Sequence, residues 1–424
     1  MRVIDFDSRK LHLDKVLKRK KPKADRIREW NRYTRLSFEN FLYAVSALFI
    51  IVSLYSGSLL LFLFVLFFCL MNLLTRFYFN KISENIEMVN DTQKVRMFVD
   101  DEDQFNIPVA NYGHIPLFAG KFRFDLEEAV ECPQLHLDSS GEKQNSYSFT
   151  FSLDRRSVQN ARIGVKGVKR GVAKFRGVQL VIRDWFGLGE MHLSYNPLFH
   201  TEMIVYPELT VVLGLERIQT QWQGSRPVEY SLDEDVTAPA GTRNYLSSDP
   251  FNRIHWKASA KTGELQTKVF ERTSGMTWVL VLNITRKGNR IVDMEREISC
   301  IAYICKFAAE HEIPFELYTN IKVRGKDQVM HLKADEGRGQ LSKALELLAR
   351  VNVNSVIVST RNLLSYVDRQ RYQNPMMITA NIAYNDDDHG YLQKWKKKGY
   401  GLYSVEHREN GTYVVNIVKG KAVS

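Results

Sequence analysis

Charge is missing from one stretch of this chain: none of the 35 residues from Phe41 to Thr75 is acidic or basic. So long an absence is out of place on a solvated protein surface and points to a lipid environment. Cysteine is scarce too. The four thiols, Cys69, Cys132, Cys300 and Cys305, form no CxxC pair and no zinc spacing, which excludes the common zinc modules. Such thiols read as small buried apolar groups in a reducing compartment. The chain also lacks GxGxxG, GxxxxGK[ST] and GxSxG runs. These absences exclude the dinucleotide fingerprint, the phosphate-binding loop and the hydrolase nucleophile elbow.

At 424 residues the chain has room for two or three domains with their own cores. Its formal net charge is +11 and is unevenly spread: residues 1–40 hold 13 Lys/Arg and 6 Asp/Glu, so 13 − 6 = +7 lies in under a tenth of the length. The run Lys18-Arg19-Lys20-Lys21-Pro22-Lys23 suits anionic lipid or nucleic acid, and otherwise reads as a solvated tail. Its place just before the uncharged block favours control of membrane topology. A nucleic-acid binder more often carries its basic excess on the folded domain.

The block itself exceeds the roughly 20 residues of one membrane pass. Two passes of about 17 residues joined by Ser56-Gly57-Ser58 are expected, forming a helical hairpin over 41–75. It starts too late and runs too long for a signal peptide. The density of Leu and Phe in LLLFLFVLFF argues against a buried soluble helix pair. A basic segment precedes it and Arg76 and Lys81 follow it, so both termini are expected in the cytoplasm at the cell membrane.

Residues 82–225 read as β-rich. Phe105, Ile107 and Val109 alternate with polar or turn residues, as do Phe122 and Phe124, then Tyr147, Phe149, Phe151 and Leu153, then Val178, Leu180 and Ile182. Period two over short segments, with turns at Asn111-Tyr112-Gly113 and Ser139-Ser140-Gly141, predicts an antiparallel sandwich or barrel. The basic stripe Arg155, Arg156, Lys166, Lys169, Arg170, Lys174 and Arg176 reads as solvated strand faces, or as a surface for an acidic or lipid partner.

Residues 273–424 change pattern. Thr277–Leu282 is a continuous apolar run, as in a strand covered on both faces. Helical spacing follows over 290–311, then expected strands at Phe315–Tyr318, Ser355–Val358, Met376–Thr379, Leu402–Val405 and Tyr413–Val418, with helices over Leu341–Leu348 and His389–Lys398. That alternation predicts a mostly parallel sheet with helices on both faces.

Between these regions, within 226–272, the segment AGTRNYLSSDPFNRIHWKASAKTGELQTKVFE concentrates Arg243, Tyr245, Asp249, Arg253, His255, Trp256 and Lys257. With Gly241, Ile254, Ser259, Ala260, Lys261, Gly263 and Leu265, it resembles the signature of the bacterial family called "domain of unknown function 58". Asp184-Trp185-Phe186-Gly187-Leu188 looks like that family's D-P-F-G-L element, with Trp185 in place of proline, and Ser248 stands where the family has glycine. The resemblance implies a multi-domain α+β membrane protein: an N-terminal transmembrane hairpin, a sandwich-like middle and a C-terminal von Willebrand factor A-like domain. It also implies a MoxR-type AAA+ ATPase as protein partner, and brings no enzymatic activity or cofactor.

In metal-binding members of the A-like fold the first loop reads D-x-S-x-S, which suits a hard cation. The corresponding residues are Asn283, Thr285 and Lys287; an amide and an ammonium there weaken such a site, and no bound metal is expected. Asp249 and His255 raise the alternative of a membrane-associated hydrolase, but no nucleophile accompanies them in a recognisable motif. The favoured readings of the signature are a polar weld built on Arg–carboxylate pairs and a partner surface rich in Arg and aromatics. A membrane-tethered nucleic-acid binder acting through the basic N-terminus is the remaining alternative.

Overall fold

The computed structural model describes residues 6–7, 30–35, 48–53, 55–57, 59–88, 93–141, 144–183, 190–195, 201–223, 234–246, 249–272, 276–287, 290–291, 294–323, 329–352, 354–370, 372, 375–382 and 386–417. Asp184–Leu188, Ser248 and Lys18–Lys23 lie outside them. The chain divides into two compact units, Met1–Tyr206 and Pro207–Ser424.

The first unit holds helix α1 (Leu59–Ser83) and strands β1 (Phe6–Asp7), β2 (Trp30–Arg35), β3 (Ile86–Met88), β4 (Lys94–Met97), β5 (Glu102–Asn111), β6 (Leu117–Glu127), β7 (Val130–Glu131), β8 (His136–Ser140), β9 (Gln144–Leu153), β10 (Ser157–Gly167), β11 (Gly171–Arg183), β12 (Glu190–Tyr195) and β13 (Glu202–Val205). One sheet runs β1-β10-β5-β3 with β7 beside β10; the other runs β2-β12-β11-β6-β9-β8, with β13 joining β11 to β4. Alternate residues decide which face is buried. Phe105, Ile107 and Val109 of β5 point into the same core as Phe122, Phe124 and Leu126 of β6 and Phe175, Leu180 and Ile182 of β11. Phe175 bridges the two sheets, its ring centroid 4.8 Å from those of both Phe105 and Phe124. The C-terminal end of α1 enters this core through Tyr78, Phe79 and Ile82.

The second unit adds β14 (Val212–Leu213), α2 (Leu215–Gln223), β15 (Glu234–Asn244), α3 (Trp256–Thr262), β16 (Gln266–Arg272), β17 (Thr277–Leu282), β18 (Arg286–Lys287), β19 (Arg290–Ile291), α4 (Met294–Glu310), β20 (Phe315–Thr319), β21 (Met330–Asp335), α5 (Gly337–Arg350), α6 (Thr360–Arg369), β22 (Pro375–Ala380), α7 (Asp386–Lys397), β23 (Gly401–Arg408) and β24 (Gly411–Asn416). Seven strands form one sheet in the order β14-β24-β23-β22-β17-β20-β21. β17 pairs in parallel with β20 and β22, and β22 with β23. Each face of β17 is covered, which is why its sequence is apolar without alternation. Val279 and Val281 pack with Leu363, Leu364 and Val367 of α6 and Trp395 of α7. Trp278 points the other way and stacks on Phe307 of α4 at 5.8 Å.

Several expectations are corrected. A two-helix transmembrane hairpin carrying a sandwich and an α/β domain is not the architecture found. Strand outweighs helix, 43% to 32%, across several sheets. Among the described residues one helix, Phe62–Ser83, is long and apolar enough to cross a membrane. Gly57 does break the uncharged run, at a φ of 62°. The helix after it, however, passes Thr75, Arg76 and Lys81 and ends only at Ser83, because its last turns are held by packing in the β core. The C-terminal sheet is mostly parallel, as its alternation predicts, with β21 and β24 antiparallel to β20 and β23. Ser355–Val358 is no strand. Val356 is 62% exposed there, and Ile357 makes an isolated bridge to Ile321.

A side chain at Gly177 in the sandwich would be strained. β11 carries a register shift between Arg176 and Gln179, and Gly177 within it has a φ of 57°. A Cβ there meets both the left-handed backbone penalty and the carboxylate of Asp125, which Ser146 holds by a 2.5 Å hydrogen bond. Gly177→Ala is expected to lower stability by about 1–2 kcal/mol, read as an earlier thermal unfolding transition; an unchanged midpoint would refute the strain argument.

Candidate functional site

The signature residues fold into one module: a two-stranded antiparallel ribbon, β15 with β16, whose connecting loop carries a 3₁₀ turn at Phe251–Arg253 and then α3. Such a ribbon has little apolar surface to bury and is marginal by itself. Hydrogen bonds to side chains take up the work. Arg243 at the end of β15 donates from both terminal nitrogens to Asp249, each at 2.7 Å. Asp249 also accepts the Leu246 amide at 3.0 Å and the Thr267 hydroxyl of β16 at 3.1 Å. The Arg243 guanidinium, aided by those two donors, holds this carboxyl down at about 2.

A second set of bonds ties α3 to β16. His255 is the N-cap: its Nδ1 accepts the Ala258 amide at 3.1 Å, which puts the proton of the neutral ring on Nε2. The His255 amide donates to the Gln266 carbonyl at 2.8 Å. Ser259 donates its hydroxyl to the His255 carbonyl at 3.1 Å and accepts the Gln266 amide at 2.8 Å. Gly263 closes the helix in the left-handed conformation, φ 76°, with its amide on the Ser259 carbonyl. Ile254 is buried between these elements.

Asp249 and His255 therefore serve different partners and do not form an acid–base pair. Tyr245 is half-buried, its amide bonded to the Leu265 carbonyl at 2.9 Å, and Arg253 is half-buried at the end of the 3₁₀ turn. Trp256 and Lys257 open α3 and face solvent, Trp256 with 66% of its surface exposed. Phe251 at 74% and Leu246 at 58% add to that apolar surface.

The loop after β17 is closed by amides. Buried Asn283 donates to the Asn381 carbonyl at 3.0 Å and accepts from the Thr360 hydroxyl at 3.3 Å, while Thr285 accepts from Asn381 at 3.2 Å. Asn320 brackets Ile284, accepting its amide and donating to its carbonyl. Lys287 lies in β18, away from these bonds, and its side chain is outside the described set. Among the described residues no group of three or more His, Cys, Asp or Glu is placed to hold a metal ion.

One polar cluster escapes sequence reading altogether. Glu316 accepts from Tyr318 at 2.5 Å and from Tyr372 at 3.0 Å, and lies 3.3 Å from His331 Nε2. Burial raises its carboxyl, but bonds from His331, Tyr318 and Tyr372 outweigh that and leave it below the ordinary range. Its members span 56 residues in sequence and share no motif; only the sheet and the loop after α6 assemble them.

No family model and no curated protein matches the chain. Among solved structures it is similar to a non-cellulosomal cohesin from the hyperthermophilic archaeon Archaeoglobus fulgidus, at 9% identity over 32% of this chain and 98% of that one, with a TM-score of 0.17. A PapD-like domain of human CEP192 gives 7% identity over 28% and 84%, with the same TM-score of 0.17. Likeness at that level carries no argument about function.

The depressed Asp249 carboxyl fixes the sign of a pH effect. Its contribution to the module is fully present above the ordinary carboxyl value of 3.8 and is lost as pH falls toward about 2. Amide-exchange protection at Leu246 should hold from neutral pH down to about 4 and be lost progressively as pH falls on toward about 2, while Asp249→Asn should lack protection throughout. Protection in Asp249→Asn equal to wild type would show that the carboxylate does not hold the loop.

Proposed function

We propose that this chain is a membrane-attached, non-enzymatic docking protein whose signature module, on the second unit, takes a protein partner. The observation that carries this reading is the division of labour in the module. Its polar framework, Arg243, Asp249, His255, Ser259 and Thr267, is consumed by internal bonds, while Trp256, Phe251 and Leu246 are left exposed beside it. Aromatic side chains on a rigid, internally bonded support suit a binding hot spot, because little side-chain entropy remains to be lost on docking. Lys257 and Lys261 on the same short helix favour a partner with acidic groups at the rim. The signature's resemblance implies a MoxR-type AAA+ ATPase as that partner.

Membrane attachment rests on α1, where Leu59, Leu60, Phe64, Leu66, Phe67 and Leu73 are each more than half exposed. Arg76 and Lys81, on the body side of the apolar part of α1, favour a cytoplasmic body, the side on which an ATPase has its nucleotide.

Full-length protein crosslinked in intact membranes and extracted in detergent should co-purify an AAA+ ATPase. Trp256→Ala should lower that recovery about tenfold or more, as loss of a central aromatic anchor does. Absence of the ATPase under crosslinking, undiminished recovery with Trp256→Ala, or a C-terminal reporter found outside the cell would each count against the proposal.

A further inference from the structure

The end of α1 sits beside a cavity that nothing above uses. Tyr78, Phe79 and Ile82 of this helix are buried in the sandwich core, whereas Leu70, Leu73, Leu74 and Phe77 are about half exposed or more. Val65 and Met71 are buried too, but most of the described helix surface before Tyr78 is exposed. Its exposed apolar length from Leu59 to Phe77 is roughly 27 Å at 1.5 Å per residue, close to the hydrocarbon thickness of a bilayer. Beside Phe77 lies a cavity of about 820 Å³, lined by Phe77, Lys81, Asn85, His114, Arg156 and Ser157 among others.

Its lining contains two permanent cations, Lys81 and Arg156, together with His114, and no acidic residue. Neither Lys81 nor Arg156 has an ion-pair partner among the described residues; the Lys81 ammonium instead lies 5.9 Å from the Phe77 ring centroid. The wall is braced. Tyr112 donates its amide to the Asn85 carbonyl at 3.0 Å, Asn85 donates its side chain to the Lys81 carbonyl at 2.6 Å, and buried Asn111 bonds the carbonyls of Ile115 and Asp154. Arg156 holds a left-handed backbone, φ 47°, fixed by its amide on the Gly113 carbonyl at 3.0 Å. Uncompensated cations in a braced cavity, one of them on a strained backbone, suit an anion. Phe77, Ile115 and Val158 in the same lining add an apolar wall, which suits an amphiphile rather than a bare ion.

We propose that this cavity binds the headgroup of an anionic phospholipid from the bilayer in which α1 is embedded. Lys81 and Arg156 would meet the phosphodiester, and Phe77 the glycerol and first acyl carbons, at the depth where the helix passes from lipid to protein. The inference rests on the membrane attachment proposed above, so its test separates the two.

Full-length protein in a neutral detergent is titrated with phosphatidylglycerol, with phosphatidylcholine and with inorganic phosphate, and bound lipid is counted by native mass spectrometry. Wild type should retain phosphatidylglycerol about tenfold better than phosphatidylcholine. Lys81→Gln, which keeps the helix, and Arg156→Asn, which keeps a residue tolerant of the left-handed backbone, should each erase most of that preference while leaving phosphatidylcholine retention unchanged. Equal retention of the two lipids by wild type, or a preference that survives both substitutions, overturns the proposal. So does displacement of phosphatidylglycerol by an equal concentration of inorganic phosphate, which would make the cavity a site for a free anion. Alkaline carbonate extraction reports on attachment independently. A chain released by carbonate that still prefers phosphatidylglycerol in detergent keeps the site and loses the anchor; a chain that stays in the membrane without the preference does the reverse.

Discussion

One carboxylate organises the signature module. Asp249 accepts from both terminal nitrogens of Arg243, from the Leu246 amide and from the Thr267 hydroxyl. Four donors from a strand end, a loop and the opposite strand leave that loop a single path. Among the described side chains Ile254 is the module's buried apolar residue, and a two-stranded ribbon would otherwise be poorly determined. Charge-assisted bonds with fixed geometry replace the hydrophobic core that so small an element cannot build. The same economy leaves Trp256, Phe251 and Leu246 largely exposed, with Phe251 resting one edge against the Tyr245 ring, centroids 6.0 Å apart.

The first unit is held by the opposite means. Its sheets meet through aromatic contacts such as Phe105–Phe175 and Phe124–Phe175, and the foot of α1 is caught in that core by Tyr78, Phe79 and Ile82. Burial of those residues fixes how the foot of the helix is held, and so which of its side chains stay exposed. Lys81, one turn past Phe77, lies at that boundary, and the segments Asn111–Ile115 and Arg156–Val158 close a basic cavity against it. The exposed face of the helix and the cavity are therefore consequences of one packing event.

In the second unit, the loop after β17 is held by amides. Asn283 has both a donor and an acceptor, and spends them on Asn381 and Thr360. Asn320 clamps the next residue from the neighbouring strand end. These neutral bonds join the ends of three strands without requiring a cation to balance charge.

Local pattern was enough wherever one period dominated. Phe105, Ile107 and Val109 mark an inner face because side chains of a strand alternate, and Thr277–Leu282 reads as doubly covered because no alternation appears. The density of Arg243, Asp249, His255 and Trp256 marks the module in the sequence. The lengths and endings of elements were another matter. The uncharged run from Phe41 to Thr75 predicts two equal helices; instead a helix reaches Ser83, because burial of Tyr78, Phe79 and Ile82 offsets the cost of carrying Arg76 and Lys81 along. Ser355–Val358 has strand composition and becomes a loop, since no strand is available to pair with it beyond the bridge at Ile321. Within the signature, composition left open whether Asp249 served Arg243 or His255. Only the antiparallel register of β15 and β16, which brings Thr267 opposite Arg243, decided for the arginine. Hydrophobic period and residue chemistry are local and survive in the sequence, whereas pairing, register and the point where a helix meets a core depend on residues far apart and exist only in the folded chain.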